Sequence, residues 1–211
     1  MGRRSLSNKN IVLDVDSVLL DFCSGFVASA ARVLSRQIEI EPGKENKYSM
    51  SERFRITREE ERLVREALYA SDFGFLPAIA GAAAAFQKLQ SMGYDIHLVT
   101  GIPVACGKMR LENLAREGMV PASIHCVGDG RARKDHVIRK IGPAAFVDDR
   151  LEHLRAVASF VPHLAWIDDG TEQDGGTSEH VHHRAANIGE WLSAWVQEPH
   201  QAPRHHVRSG G

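Results

Sequence analysis

The segment Ile11-Val12-Leu13-Asp14-Val15-Asp16-Ser17-Val18-Leu19-Leu20-Asp21-Phe22 changes character at its fourth residue. Three apolar residues, two of them β-branched, read as a short strand buried on both faces, the kind found in parallel sheets. The run then stops at a carboxylate. Residues two apart on an extended chain face the same side, so Asp14 and Asp16 can serve one centre. The pattern recurs downstream: Ile96-His97-Leu98-Val99 ends at Thr100-Gly101, and Ala144-Ala145-Phe146-Val147 ends at Asp148-Asp149. Residues 123–127 and 164–167 are shorter strand candidates.

Helical patterns fill the gaps. Residues 82–92 close on Gly93, 107–117 on Gly118, and 134–141 on Gly142-Pro143, the glycine stop common at helix ends. Strand and helix alternating in this way predict an α/β, Rossmann-like parallel sheet with helices on both faces. In such sheets ligands sit at the carboxyl ends of the strands, where the polar residues fall. Residues 22–78 break the alternation. Amphipathic stretches over 24–36 and 57–69 suggest helices, the second opened by Thr57 with Glu60 three residues on, and a polar stretch, 41–51, separates them. The expected organisation is a core of residues 9–21 and 79–197, a small helical cap over 22–78 inserted after the first strand, and a disordered polar tail over 198–211. The alternative for the insert is a helical hairpin with no role at the site.

The 211 residues suffice for one compact core with a modest insert. A formal net charge of −1 gives no global field toward a nucleic-acid polymer or an anionic membrane. Cys23, Cys106 and Cys126 lie far apart, which argues against a disulfide framework or a structural zinc site and suits a reducing cytoplasm. Neither a signal peptide nor a membrane span is expected.

Two acidic strand ends concentrate negative charge that is costly without a cation. Oxygen ligands with no accompanying His or Cys select a hard ion, Mg²⁺ foremost. A carboxylate can attack phosphorus and divide one hard displacement into two easier ones. A hydroxyl, a backbone amide and an ammonium then hold the transferring oxygens, and Thr100, Gly101 and Lys134 are the candidates. Asp16 is the candidate to protonate the leaving oxygen and deprotonate the attacking water.

These residues, in this order, resemble the four motifs of the haloacid dehalogenase-like superfamily: Asp14-Val15-Asp16-Ser17-Val18-Leu19, then Leu98-Val99-Thr100, then Lys134, then Phe146-Val147-Asp148-Asp149. The resemblance implies that Asp14 is nucleophile and metal ligand, that Asp16 adds its backbone carbonyl to Mg²⁺, and that Asp149 is the direct ligand with Asp148 behind it. A carboxylate at Asp16 implies hydrolysis rather than dehalogenation. Ser17 departs from the superfamily's common Gly, and the basic stretch before Lys134 offers Arg131 and Arg133 as competitors for the phosphate.

Asp14 to Phe22 is also similar to the 5'(3')-deoxyribonucleotidase branch. That likeness implies an aromatic base pocket from Phe22, with Tyr48, Phe54, Phe73 and Phe75 as further candidates. The expected substrate is a small phosphorylated metabolite, a nucleotide or a sugar phosphate. A phospho-ligand-binding protein on an inactivated scaffold is the non-enzymatic alternative. A phospho-acceptor receiver domain fits poorly, because there the phosphorylated Asp ends a middle strand. His180, His182 and His183, with His200, His205 and His206, lack the acidic or cysteine partners of a metal site and read as a surface strand and tail. Trp191 and Trp195, four apart, read as one face of a terminal helix packed on the core.

Overall fold

The computed structural model describes residues 8–128, 133–173 and 178–197. β1 (Asn10–Leu13) lies near the middle of a six-stranded sheet. With β2 (Asp95–Thr100), β3 (Ser123–Cys126), β4 (Ala145–Asp148), β5 (His163–Ile167) and β6 (His183–Ala185), the order is β3-β2-β1-β4-β5-β6. Every pairing is parallel, with Val12 beside His97 on one side and Phe146 on the other.

The period of two decides which layer each residue joins. Ile11 and Leu13 pack in the larger core with Phe86 and Leu89 of α4 (Ala82–Ser91) and with Trp191 and Trp195 of α8 (Ile188–Gln197). Val12, Val99 and Phe146 form the core of the opposite face with Ile138 of α6 (Asp135–Ile141) and Leu154 and Val157 of α7 (Leu151–Val157). The two tryptophans pack ring to ring at 5.6 Å, as a terminal helix closing the sheet face. Each fully buried valine, leucine, isoleucine or phenylalanine in these layers stabilises the fold by about 1.5–3 kcal/mol. β6 takes up His183, while His200, His205, His206 and the 198–211 tail lie outside the described residues, as does Arg131.

Between β1 and α4 the insert runs through α1 (Phe22–Val33), α2 (Met50–Arg53), α3 (Arg58–Ala70) and a 3₁₀ turn, Asp72–Phe75. The first helix starts two residues before the expected 24 and ends three before 36. Asp21 caps its start by accepting from the Ser24 amide at 2.9 Å, a signal the hydrophobic pattern alone does not carry. The polar stretch runs into a helical turn, α2, whose Met50 is buried. The expected capping box of α3 forms, with the Glu60 amide 3.1 Å from Thr57 Oγ1 and Glu60 Oε2 2.8 Å from the Thr57 amide.

The chain leaves for the insert and returns from it side by side. The Asp21 amide donates to the Pro77 carbonyl and the Ile79 amide to that of Leu19, both at 2.9 Å, pairing Leu20 with Ala78 as a short antiparallel bridge. The return is clasped by Asn113 of α5 (Gly107–Arg116). Its buried side-chain amide accepts from the Leu76 amide at 3.0 Å and donates to the Leu76 carbonyl at 2.9 Å.

From β1 the chain builds outward through β2 to β3, then crosses back to lay β4 on the other side of β1. That reversal opens a crevice at the carboxyl ends of β1 and β4, the place where open α/β sheets bind ligands.

Candidate active site

Asp14 follows β1 directly, and its amide donates to the Val147 carbonyl of β4 at 2.9 Å. The chain then turns sharply, with Ser17 at φ +61°, a left-handed backbone that costs a non-glycine residue roughly 1–2 kcal/mol. Here lies the consequence of serine at this position: the turn forms anyway, under strain.

Lys134 stands at the start of α6, buried, and its Nζ is 2.8 Å from both Asp14 Oδ2 and Asp148 Oδ2. Asp148 is fully engaged. Besides Lys134 it accepts from the Arg150 amide at 2.8 Å and sits 3.0 Å from His153 Nδ1. The neighbouring Asp149 carboxylate makes no hydrogen bond to a described residue. Its backbone carbonyl instead anchors it, accepting from Trp166 Nε1 and Gln173 Nε2 at 3.1 Å each.

This contrast sets the electrostatics. Burial raises the Asp14 carboxyl to about 6, opposed by Lys134 and reinforced by Asp148. Burial, then Asp148 and Asp14, lifts Asp149 well above the usual carboxylate range. For Asp148 burial works the same way, but Lys134 and His153 prevail and hold it below that range. For Lys134 burial opposes the charge, and the two aspartates outweigh it. Three buried carboxylates thus share one ammonium.

Among the described residues, Asp14, Asp148 and Asp149 form the one cluster whose ligand atoms lie within 4.8 Å of one another. Asp14 Oδ1 is buried and makes no hydrogen bond to a described residue. An all-oxygen, charge-deficient cluster of this kind fits a hard divalent cation.

Thr100 ends β2 against the same crevice, with its Oγ1 buried and unpartnered among the described residues. Asp14, Asp16, Thr100, Gly101, Lys134 and Asp149 all line one cleft of about 850 Å³, mouth included. Phe22, Tyr48 and Phe73 line it too.

Two of the expected pocket residues lie elsewhere. Phe54 is buried against Phe26 at 6.4 Å, in the core of the insert. Phe75 is 74% exposed, with the Arg116 guanidinium 4.8 Å from its ring centre, because the 3₁₀ turn sends Phe73 inward and Phe75 out. Arg133 is paired with Asp135 at 2.8 Å on the surface, so it does not compete with Lys134.

Sequence reading gave the arginines no role in the cleft. Arg53, Arg65 and Arg150 reach the cleft, Arg150 lying 3.7 Å from the Tyr48 ring centre. Arg110, fully buried, places Nη2 2.9 Å from Asp16 Oδ1. Position in α2, α3 and α5 gives no local signal for any of these contacts; the Arg150 beside the acidic pair is the one a reader could have suspected.

The charge balance predicts how stability responds to pH. Without a divalent cation, the native state takes up a proton at Asp14 as pH falls through about 6, while the unfolded chain does so only near 3.8. Stability therefore rises as pH falls from neutrality across that window, by an amount on the order of a few kcal/mol. Asp149, also raised, acts in the same direction. Thermal unfolding in a chelator should show a higher Tm at about pH 5.5 than at about pH 7.5, and Mg²⁺ should raise Tm more at the higher pH, where it does not compete with protons. The reverse order would mean that the carboxylates do not share charge as described.

No protein-family model matches the chain, and no curated protein matches it in sequence. Solved structures are similar in shape. A haloacid dehalogenase-like family hydrolase from Streptococcus pneumoniae aligns with a TM-score of 0.61 at 13% identity, over 90% of this chain and all of that one. A predicted phosphoglycolate phosphatase from Haemophilus somnus gives 0.61 at 13%, over 89% and 98%. A HAD family hydrolase from Deinococcus radiodurans, with bound phosphate and sodium, gives 0.62 at 14%, over 91% and 96%. Nearly whole-chain superposition on each of them, with the acidic crevice at the sheet's reversal point, gives this chain the haloacid dehalogenase-like fold.

Proposed function

We propose that the chain is a Mg²⁺-dependent phosphatase that hydrolyses small phosphate monoesters through an aspartyl-phosphate on Asp14. The observation that carries this reading is the pair of environments at one carboxylate: Asp14 Oδ2 is held by Lys134 at 2.8 Å, while Oδ1, buried beside Asp148 and Asp149, makes no hydrogen bond to a described residue. A fixed, half-neutralised carboxylate at the floor of a cleft is placed to attack.

In this reading residues 9–21 and 79–197 are the catalytic core, and 22–78 covers the site. Thr100 Oγ1, the Gly101 amide and Lys134 Nζ hold the phosphoryl oxygens. The Asp14 carboxylate attacks phosphorus, and Asp16 delivers a proton to the departing alkoxide. The same Asp16 then takes a proton from the water that attacks the acyl phosphate, releasing phosphate and restoring Asp14. Asp14, Asp149 and the Asp16 carbonyl would hold the metal ion, with Asp148 positioning Lys134 behind them. When bound, that ion supplies the positive charge that lets an anion approach a phosphate. The Deinococcus neighbour holds phosphate on the same fold, which supports a phosphate-binding crevice.

A nucleoside monophosphate is the substrate that the aromatic lining favours. Phe22 and Phe73, 6.3 Å apart, and Tyr48 line the cleft that contains Asp14, and aromatic faces hold bases. Three free thiols support a reducing cytoplasm as the place of action, and no described helix is long and apolar enough to cross a membrane.

The test is phosphate release from nucleoside monophosphates, sugar phosphates and p-nitrophenyl phosphate, with Mg²⁺ and with a chelator. Metal-dependent turnover is expected, highest on nucleotides. Preference for sugar phosphates would remove the nucleotide reading alone. Inertness across the panel, with retained binding of phosphorylated ligands, would favour a binding protein on a disabled scaffold.

A further inference from the structure

We propose that Arg110 is the residue that positions the Asp16 carboxylate for proton transfer. The inference rests on the reading of Asp16 as acid and base, and deepens it. Arg110 belongs to α5, and its side chain is completely buried. A buried guanidinium is costly unless a carboxylate compensates it. Asp16 is that carboxylate, with its Oδ1 2.9 Å from Arg110 Nη2 and buried there.

The approach lies off the hydrogen-bond axis, so charge rather than a directed bond holds the pair. Arg110 Nε and Nη1 make no hydrogen bond to a described residue. The guanidinium carbon lies over the ring of Phe73, 4.4 Å from its centre, in the 3₁₀ turn of the insert. An apolar side chain would fill this space between α5 and Phe73 at lower desolvation cost. What a positive charge adds is a hold on Asp16.

The Asp16 side chain is 24% exposed and lines the cleft while Oδ1 is buried. One oxygen is therefore tethered and the other is left to meet the leaving group. Removal of the tether lets the carboxylate rotate about its side-chain bonds, in a segment already turned by Ser17. The chemistry that suffers is proton transfer. Phosphate binding, carried by Thr100, Gly101 and Lys134, is untouched.

Leaving groups differ in their need for that proton. p-Nitrophenolate departs without one, whereas the alkoxide of glycerol 2-phosphate or of a nucleotide requires it. Arg110→Met is expected to lose roughly 100-fold in kcat on the alkyl ester, with KM little changed, and less than about 10-fold on p-nitrophenyl phosphate in the transfer to Asp14, read as the pre-steady-state burst of p-nitrophenolate. Arg110→Lys, which keeps the charge, should restore much of the loss.

Equal losses on both esters, or a change in KM alone, would overturn the role of Arg110 and leave the phosphatase reading standing. An inert wild type would sink the phosphatase reading, and this inference with it. A stability cycle checks the contact independently of turnover. Asp16→Asn and Arg110→Met should each lower Tm, and the double variant should melt above the sum of the two losses. Strict additivity would mean that the charges do not pair in solution, and would overturn the proposal even in an active enzyme.

Discussion

Asp14→Asn should abolish turnover, by at least about 1,000-fold, in a protein that melts no lower than the wild type in chelator. The first half follows from the role proposed for Asp14, whose attacking oxygen the substitution removes. Residual catalysis would have to come from binding and from hydrogen bonds to the phosphate alone, and these are worth far less than a covalent route. The second half is the unusual part. Replacing one member of a buried ion pair normally costs stability, but here burial and the neighbouring Asp148 already push the Asp14 carboxyl up to about 6. Its charge at neutral pH is a strain on the metal-free fold. An amide of the same shape relieves that strain while Lys134 keeps Asp148 at 2.8 Å. Activity assays alongside thermal unfolding separate the two effects. An inactive variant that also melts far below the wild type would mean that Asp14 is chiefly structural.

Lys134→Met should behave in the opposite way, losing both activity and stability. The ammonium is the shared partner of Asp14 and Asp148, both buried. Removing one member of a buried charge network leaves the others uncompensated and typically costs about 3–5 kcal/mol. Methionine fills the volume of the lysine stem, so lost packing is a small part of the change. In chelator the loss should be greatest near neutral pH and shrink as Asp14 and Asp149 take up protons. Chemical denaturation at two pH values measures this directly. A loss below about 1 kcal/mol at neutral pH would show that water reaches these carboxylates freely and that the burial argument fails.

These two residues were legible in the chain because each marks the end or beginning of an element. Asp14, Thr100 and Asp148 terminate runs of buried apolar residues, and Lys134 precedes a helix that closes on Gly142. Parallel strands bring their carboxyl ends together whatever the intervening lengths, so residues at those ends meet. The wall of the cleft is different. Phe73 and Phe75 are two apart, yet a 3₁₀ turn puts one in the cleft and the other in solvent. Neither composition nor period foretells a 3₁₀ turn of four residues. Arg110 is harder still. An arginine on an amphipathic helix reads as surface, and only the approach of Asp16 and Phe73 from distant parts of the chain turns it inward. Local pattern determines strands, helices and what caps them; a buried charge is determined by its partner.

The bridge between Leu20 and Ala78 bears on how such a molecule can change over time. The chain departs and returns through hydrogen-bonded neighbours, so the separation of those two points is independent of how many residues lie between them. Lengthening a loop whose ends are already together adds only about 0.6 kcal/mol of closure entropy per doubling. The inserted segment, which lines one wall of the cleft through Phe22, Tyr48 and Phe73, is thus free to lengthen, shorten or be exchanged without shifting the register of a single strand, while Asp14 and Lys134 stay where they are.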